Sequence, residues 1–123
     1  MRCRRGRQRS PRWIESVPEV TYYKPAGVPM RYMEVIEVSF AELEALRLVD
    51  LEGLTQEEAA VRMGISRRSF WNDLESARKK VIHALVNGCA LELVGLDYRV
   101  GQSEVKEKEG NNNAKERRKR TKE

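Results

Sequence analysis

The chain is poor in the residue types that carry most small-protein chemistry. It has one histidine, His83, and two cysteines, Cys3 and Cys89, in 123 residues. No Cys-x-x-Cys or Cys-x-x-His spacing is present, so no structural zinc site is expected, and the two thiols read as reduced and intracellular. Aromatic residues make up 7% of the chain. No apolar run reaches the roughly 20 residues needed to cross a bilayer, and the arginine-rich N-terminus lacks the apolar segment of a signal peptide. A cytoplasmic location without a membrane partner is expected. The acid pairs Glu57/Glu58 and Glu34/Glu37 have no nucleophile or histidine close by in sequence. Nothing converges on an enzyme's pocket, so no catalytic residue, cofactor, metal or small-molecule ligand is expected.

What is abundant is charge, at 35% of residues, and it is unevenly spread. Residues 1–12 carry six arginines and no acid, and residues 106–123 carry eight Lys/Arg against four Glu. Residues 13–105 hold ten Lys/Arg against fifteen Asp/Glu, so the net charge of +5 belongs to the two ends. This pattern suits basic arms that grip phosphate around a folded reader, or tails that serve solubility or bind RNA. Residues 1–12 and 101–123, charged and apolar-poor, are expected to be disordered. Between them, residues 13–100 are expected to form one domain.

Within that domain, residues 54–74 read as two helices joined by a tight turn. Thr55 with Glu58 three positions later forms a capping box, which satisfies two otherwise orphaned N–H groups at a helix start. Gly64 supplies the turn, because glycine takes a left-handed conformation at little cost. Ser66 is a suitable cap for the second helix. Ala59, Ala60, Met63, Ile65, Phe70 and Leu74 form the expected shared core. This is the arrangement of a DNA-binding helix-turn-helix, whose second helix enters the major groove. Five Lys/Arg against two acids in residues 66–80 give that helix a local +3, whereas residues 42–58 hold six acids against Arg47 alone and should face away from DNA.

The run Ser66-Arg67-Arg68-Ser69-Phe70, followed by Leu74, Ala77-Arg78 and Lys80-Val81, resembles the recognition helix of sigma-factor region 4. More widely, residues 18–27 (PEVTYYKPAG), 42–48 (ELEALRL), 50–60 (DLEGLTQEEAA) and 85–88 (LVNG) resemble a family of small, functionally uncharacterised proteins labelled predicted DNA-binding proteins. The helix-turn-helix pattern with its local positive charge makes a sequence-specific, double-stranded-DNA-binding transcription regulator the favoured expectation; the resemblance covers over half the chain and implies DNA binding. It implies nothing finer about biological role.

With Phe70 and Leu74 turned inward, helical geometry places Arg68, Asn72, Glu75 and Lys79 on the opposite face, flanked by Arg67 and Trp71. Arg68 can bind guanine O6 and N7 bidentately, and Asn72 can pair with adenine. Arg67, Ser69 and Lys79 suit backbone positioning. Glu75 can accept from cytosine N4 or repel a wrong register. Trp71 either contacts a thymine methyl or sugar, or packs beneath the N-terminal segment. His83 reads as a surface residue.

The remaining expectations concern the frame. Ser39 with Glu42 repeats the capping box and opens a helix to about residue 49 or 51. The last helix, about residues 67–86, is longer than DNA reading requires, with Phe70, Leu74, Ala77, Val81 and Leu85 as one apolar stripe. Ile82 and Val86 widen this stripe, either against the N-terminal segment or as a homodimer contact. Residues 20–23 and 32–38 are extended and suggest a short hairpin. Residues 91–94 and 96–100, with a bend at Gly95, could complete a small sheet with either segment. The expected fold is thus mainly α: a three-helix helix-turn-helix domain, core about 39–87, with short N- and C-terminal β segments. The competing expectation for function is a sigma-like protein-interaction module or an RNA-binding adaptor.

Overall fold

In the computed structural model, residues 11–101 are described. The expected disorder of residues 1–10 and 102–123 therefore lies outside the described residues. The chain runs β1 (Arg12–Ile14), β2 (Tyr22–Tyr23), a single 3-10 turn, β3 (Val35–Ser39), α1 (Phe40–Leu46), a wide π turn over Arg47–Leu51, α2 (Gln56–Met63), α3 (Arg67–Asn87), β4 (Ala90–Val94) and β5 (Tyr98–Val100). It is mixed α/β with helices predominant, and the third helix is the long one.

Local chemistry sets the helix ends. Ser39 and Thr55 each accept from the N–H three residues on, while Glu42 and Glu58 accept in return from the N–H groups of those caps, all at 2.8–3.0 Å. Helix α1 does not stop cleanly. Its last turn widens so that Glu52 N–H donates to the Arg47 carbonyl and Leu54 N–H to the Leu48 carbonyl. The wider pitch keeps Leu48 buried and turns Leu51 outward.

The helices pack through small residues. Ala41, Ala45, Ala59 and Ala60 surround Leu48, Met63, Phe70 and Leu74 in one cluster, with Ile65 and Leu54 at its edge. Alanines allow close helix approach, so Phe70 and Leu74 fill the space between α1 and α2.

The sheet corrects two expectations. Residues 20–23 and 32–38 do not form a hairpin, because β4 lies between β2 and β3. Strand β4 runs antiparallel to β2 and parallel to β3, with Val35 opposite Ala90 and Ser39 opposite Val94. A parallel partner requires a long crossover, and α1 to α3 supply it. Strand β1 pairs in parallel with β5, so Arg12, counted with the basic arm on sequence grounds, stands in a strand.

The apolar stripe of α3 also departs from its expected path. Phe70, Leu74 and Ala77 are buried, but the buried line then passes to Ala84, and Leu85 is 71% exposed. Helix α3 packs against β3 and β4 as well as α1 and α2, and Ala84 is the buried residue of its C-terminal part. A small residue there lets the strands approach. At Gly95 the requirement is steric: an added Cβ would stand 2.8 Å from the Tyr98 ring and 2.9 Å from that of Phe40. Those two rings meet edge to face at 5.1 Å.

Candidate nucleic-acid interface

The junction of α2 and α3 is three residues long and hydrogen-bonded to both helices. Gly64 closes α2 at φ 72°, ψ 32°. Its N–H donates to the Val61 carbonyl, and Ile65 N–H donates to the Ala60 carbonyl. Ser66 then accepts from Ser69 N–H at 3.0 Å and starts α3. With its orphan groups satisfied on both sides, this turn fixes the angle at which α3 leaves the core.

On α3, Arg67, Arg68, Trp71, Asn72 and Lys79 are exposed, while Ser69 and Glu75 are half-buried. Arg68, Asn72, Glu75 and Lys79 follow at steps of four, three and four, one straight stripe about 16 Å long. Trp71 flanks it with 42% of its surface exposed. All seven residues singled out from the sequence thus fall on the N-terminal two-thirds of one helix.

The basic residues of α3 divide into two sets. Arg78 reaches across to Asp50 with two contacts, Nε to Oδ2 at 3.1 Å and Nη2 to Oδ1 at 2.8 Å. Lys80 lies 3.0 and 3.1 Å from the two oxygens of Glu42. Arg67, Arg68 and Lys79 make no ion pair with another described residue. Arg78 and Lys80 are thus held in ion pairs, whereas Arg67, Arg68 and Lys79 are without one among the described residues.

The inward acids are occupied in the same way. Glu42 accepts from Ser76 Oγ, Ser39 N–H and Lys80. Burial pushes its carboxyl pKa up, but these hydrogen bonds together outweigh burial and hold it below the ordinary value. The Arg47 guanidinium gathers Glu44, Glu15 and Glu52. Its hydrogen bond to Glu44 outweighs burial and raises its already high pKa further. Hydrogen bonding from Arg78 outweighs a small desolvation cost and lowers the Asp50 pKa. The acids of residues 42–52 are therefore ion-paired rather than a free acidic face, Glu42 and Glu44 in the interior and Asp50 and Glu52 at the surface.

Two residues that sequence reasoning missed hold α3 from below. Arg12 donates from Nε to Asp73 Oδ2 at 2.9 Å, with Nη2 3.5 Å from Oδ1, and both side chains are buried. Asp73 sits beside Asn72 on the adjoining face of the helix, so β1 is clamped to α3 by charge.

A family model described as "Protein of unknown function DUF134" matches residues 1–101, which includes every described residue. The chain belongs to this family. It is 55% identical over 104 residues to a UPF0251 protein of Methanosarcina acetivorans, covering 84% of this chain and 93% of that one. To a UPF0251 protein of Methanocella arvoryzae it is 53% identical over 87 residues, 71% of this chain but 52% of the relative, so it spans about half that protein's length. A third UPF0251 protein, from Thermoanaerobacter sp. (strain X514), is 50% identical over 93 residues, 76% of this chain and 82% of its own. No solved structure matches the chain. Among the described residues, no helix is long and apolar enough to cross a membrane.

Proposed function

We propose that this chain is a sequence-specific duplex-DNA-binding protein and transcription regulator, in which α2, the turn at Gly64 and α3 act as a helix-turn-helix. The observation that carries this reading is the sorting of charge on α3: Arg78 and Lys80 are paired, whereas Arg67, Arg68 and Lys79 form a cationic edge around Asn72. A solvated helix face would leave its cations in no particular order. Here Arg68 and Asn72, one turn apart near the helix start, stand where base edges are read, and Lys79 stands where phosphates are met.

The test begins with duplexes selected from a random pool by the wild-type chain, followed by equilibrium binding across salt. Arg68→Ala should cost about 1–3 kcal/mol on the selected duplex and relax preference at one base pair. Lys79→Ala should weaken all duplexes alike and lower the salt slope by about 0.9. Duplex affinity unchanged in both variants refutes the assignment.

The far end of α3 favours a second reading, a sigma-like unit that docks on another protein. Ile82, Leu85 and Val86 are 56%, 71% and 74% exposed, a set that water does not favour. A docking module would bind duplex DNA weakly and with little salt dependence. The same titration therefore separates the two readings.

A further inference from the structure

We propose that Glu34, His83 and Cys89 form a binding site for one divalent transition-metal ion of the zinc class. The site lies apart from the proposed DNA face and does not depend on that reading. Three elements end together here. Glu34 immediately precedes β3 and Cys89 immediately precedes β4. Since Val35 pairs with Ala90, these two residues are neighbours at the mouth of the parallel ladder. Ala90 N–H donates to the Glu34 carbonyl at 2.9 Å and fixes that register. His83 comes from the last turn of α3, and Gly88 at φ 70°, ψ 38° folds the chain back from that helix into β4. The N–H groups of Gly88 and Cys89 both donate to the Ala84 carbonyl. The cysteine is thereby held beside the histidine-bearing turn.

The donor atoms converge. Sγ of Cys89, an imidazole nitrogen of His83 and a carboxylate oxygen of Glu34 all lie within 4.8 Å of one another. Cys89 Sγ donates to Glu34 Oε1 at 3.8 Å, and His83 Nε2 lies 3.9 Å from the same oxygen. With metal–ligand bonds of about 2.0–2.3 Å, tetrahedral ligands stand roughly 3–4 Å apart. Small rotations of the exposed Glu34 and His83 side chains close the difference. One thiolate and one carboxylate balance a 2+ ion. The sulfur–nitrogen–oxygen set suits zinc or cobalt rather than calcium or magnesium, which demand oxygen shells. The negative end of the α3 dipole adds to the preference for a cation.

Three protein ligands leave a fourth position for water, the pattern of an exchangeable site rather than a closed structural one. Asn87 supplies the outer support. Its amide nitrogen stands 3.3 Å from His83 Nδ1 and 3.1 Å from the His83 carbonyl. When Nε2 takes the metal, the ring proton resides on Nδ1, and the Asn87 amide gives up its bond to the His83 carbonyl and turns its oxygen to accept that proton. Binding also releases the thiol proton of Cys89.

The test uses the full chain, reduced, freed of metal by a chelator and titrated with Co2+ alone. A thiolate-to-cobalt charge-transfer band should saturate at one ion per chain and be displaced by Zn2+. Cys89→Ser should abolish the band, whereas Cys3→Ser should leave it intact. Glu34→Gln and His83→Ala should each weaken Co2+ by at least about tenfold, and Asn87→Ala by roughly tenfold. Because His83 is the only histidine, its ring resonances report Zn2+ directly. Its side chain is exposed, so His83→Ala leaves the core intact. No band, a band that survives Cys89→Ser or is lost in Cys3→Ser, or wild-type affinity in both Glu34→Gln and His83→Ala overturns the proposal.

Discussion

Replacing Arg12 with alanine tests whether the N-terminal strand is a working part of the domain. Its guanidinium meets Asp73 at 2.9 Å and 3.5 Å, and the two side chains retain only 7% and 8% of their exposure. Breaking such a buried pair from one side costs about 3–5 kcal/mol, because a carboxylate loses a charge that helps compensate its burial. Only one of the two contacts is short, which places the expected loss near 3 kcal/mol. For a domain of this size, each kcal/mol moves the melting temperature by about 4–8 °C, so Arg12→Ala should melt at least about 12 °C lower. The double replacement Arg12→Met with Asp73→Leu should recover most of the loss, since apolar side chains of similar volume need no partner. The measurement is a double-mutant cycle in urea, completed by Arg12→Met alone and Asp73→Leu alone. A single-variant cost below about 1 kcal/mol, as for an exposed pair, or losses that simply add, would refute the claim that this contact clamps β1 to α3.

The remaining expectations concern the sheet side and the inner acid. Gly95→Ala puts a methyl 2.8 Å from the Tyr98 ring and 2.9 Å from that of Phe40. It should destabilise the chain by about 1–3 kcal/mol in urea titration, and a neutral result would mean the rings yield freely. Glu42 has a lowered pKa, so its contribution is present above the ordinary carboxylate value of 4.5 and is lost as the pH falls through the folded value. The stability gap between wild type and Glu42→Gln should therefore be widest near neutral pH and shrink in acid, as read from urea midpoints. A gap unchanged with pH would show that the carboxylate charge is not what matters there.

Features built from close neighbours were legible in the sequence. The capping boxes at Ser39 and Thr55 need only four consecutive residues, and the left-handed Gly64 needs its place between two periodic stretches. The inward turn of Phe70, Leu74 and Ala77 follows from helical period alone. Beyond Ala77 the same period leaves Ala84 and Leu85 nearly equivalent, and only the position of β3 and β4 decides between them. The pairing of β4 with both β2 and β3 joins segments separated by all three helices, which no local pattern encodes. Long-range charge contacts were hidden for the same reason. Arg12 resembled its arginine-rich neighbours, and Lys80 looked as free as Lys79 until Glu42 was placed beside it. The cluster of Glu34, His83 and Cys89 has no linear spacing at all.

The placement of β4 has a consequence for how the molecule is made. The middle strand of the three-stranded sheet is encoded after α1, α2 and α3, and its parallel partner β3 before them. During synthesis, β2 and β3 must wait for a template that emerges late. Their contacts are of long sequence separation and form slowly. Until residues 90–94 leave the ribosome, the apolar side of Val38 has no strand beside it. A chain stopped short of that point would carry the helices and the proposed reading edge, yet lack the strand that seals one flank of the fold.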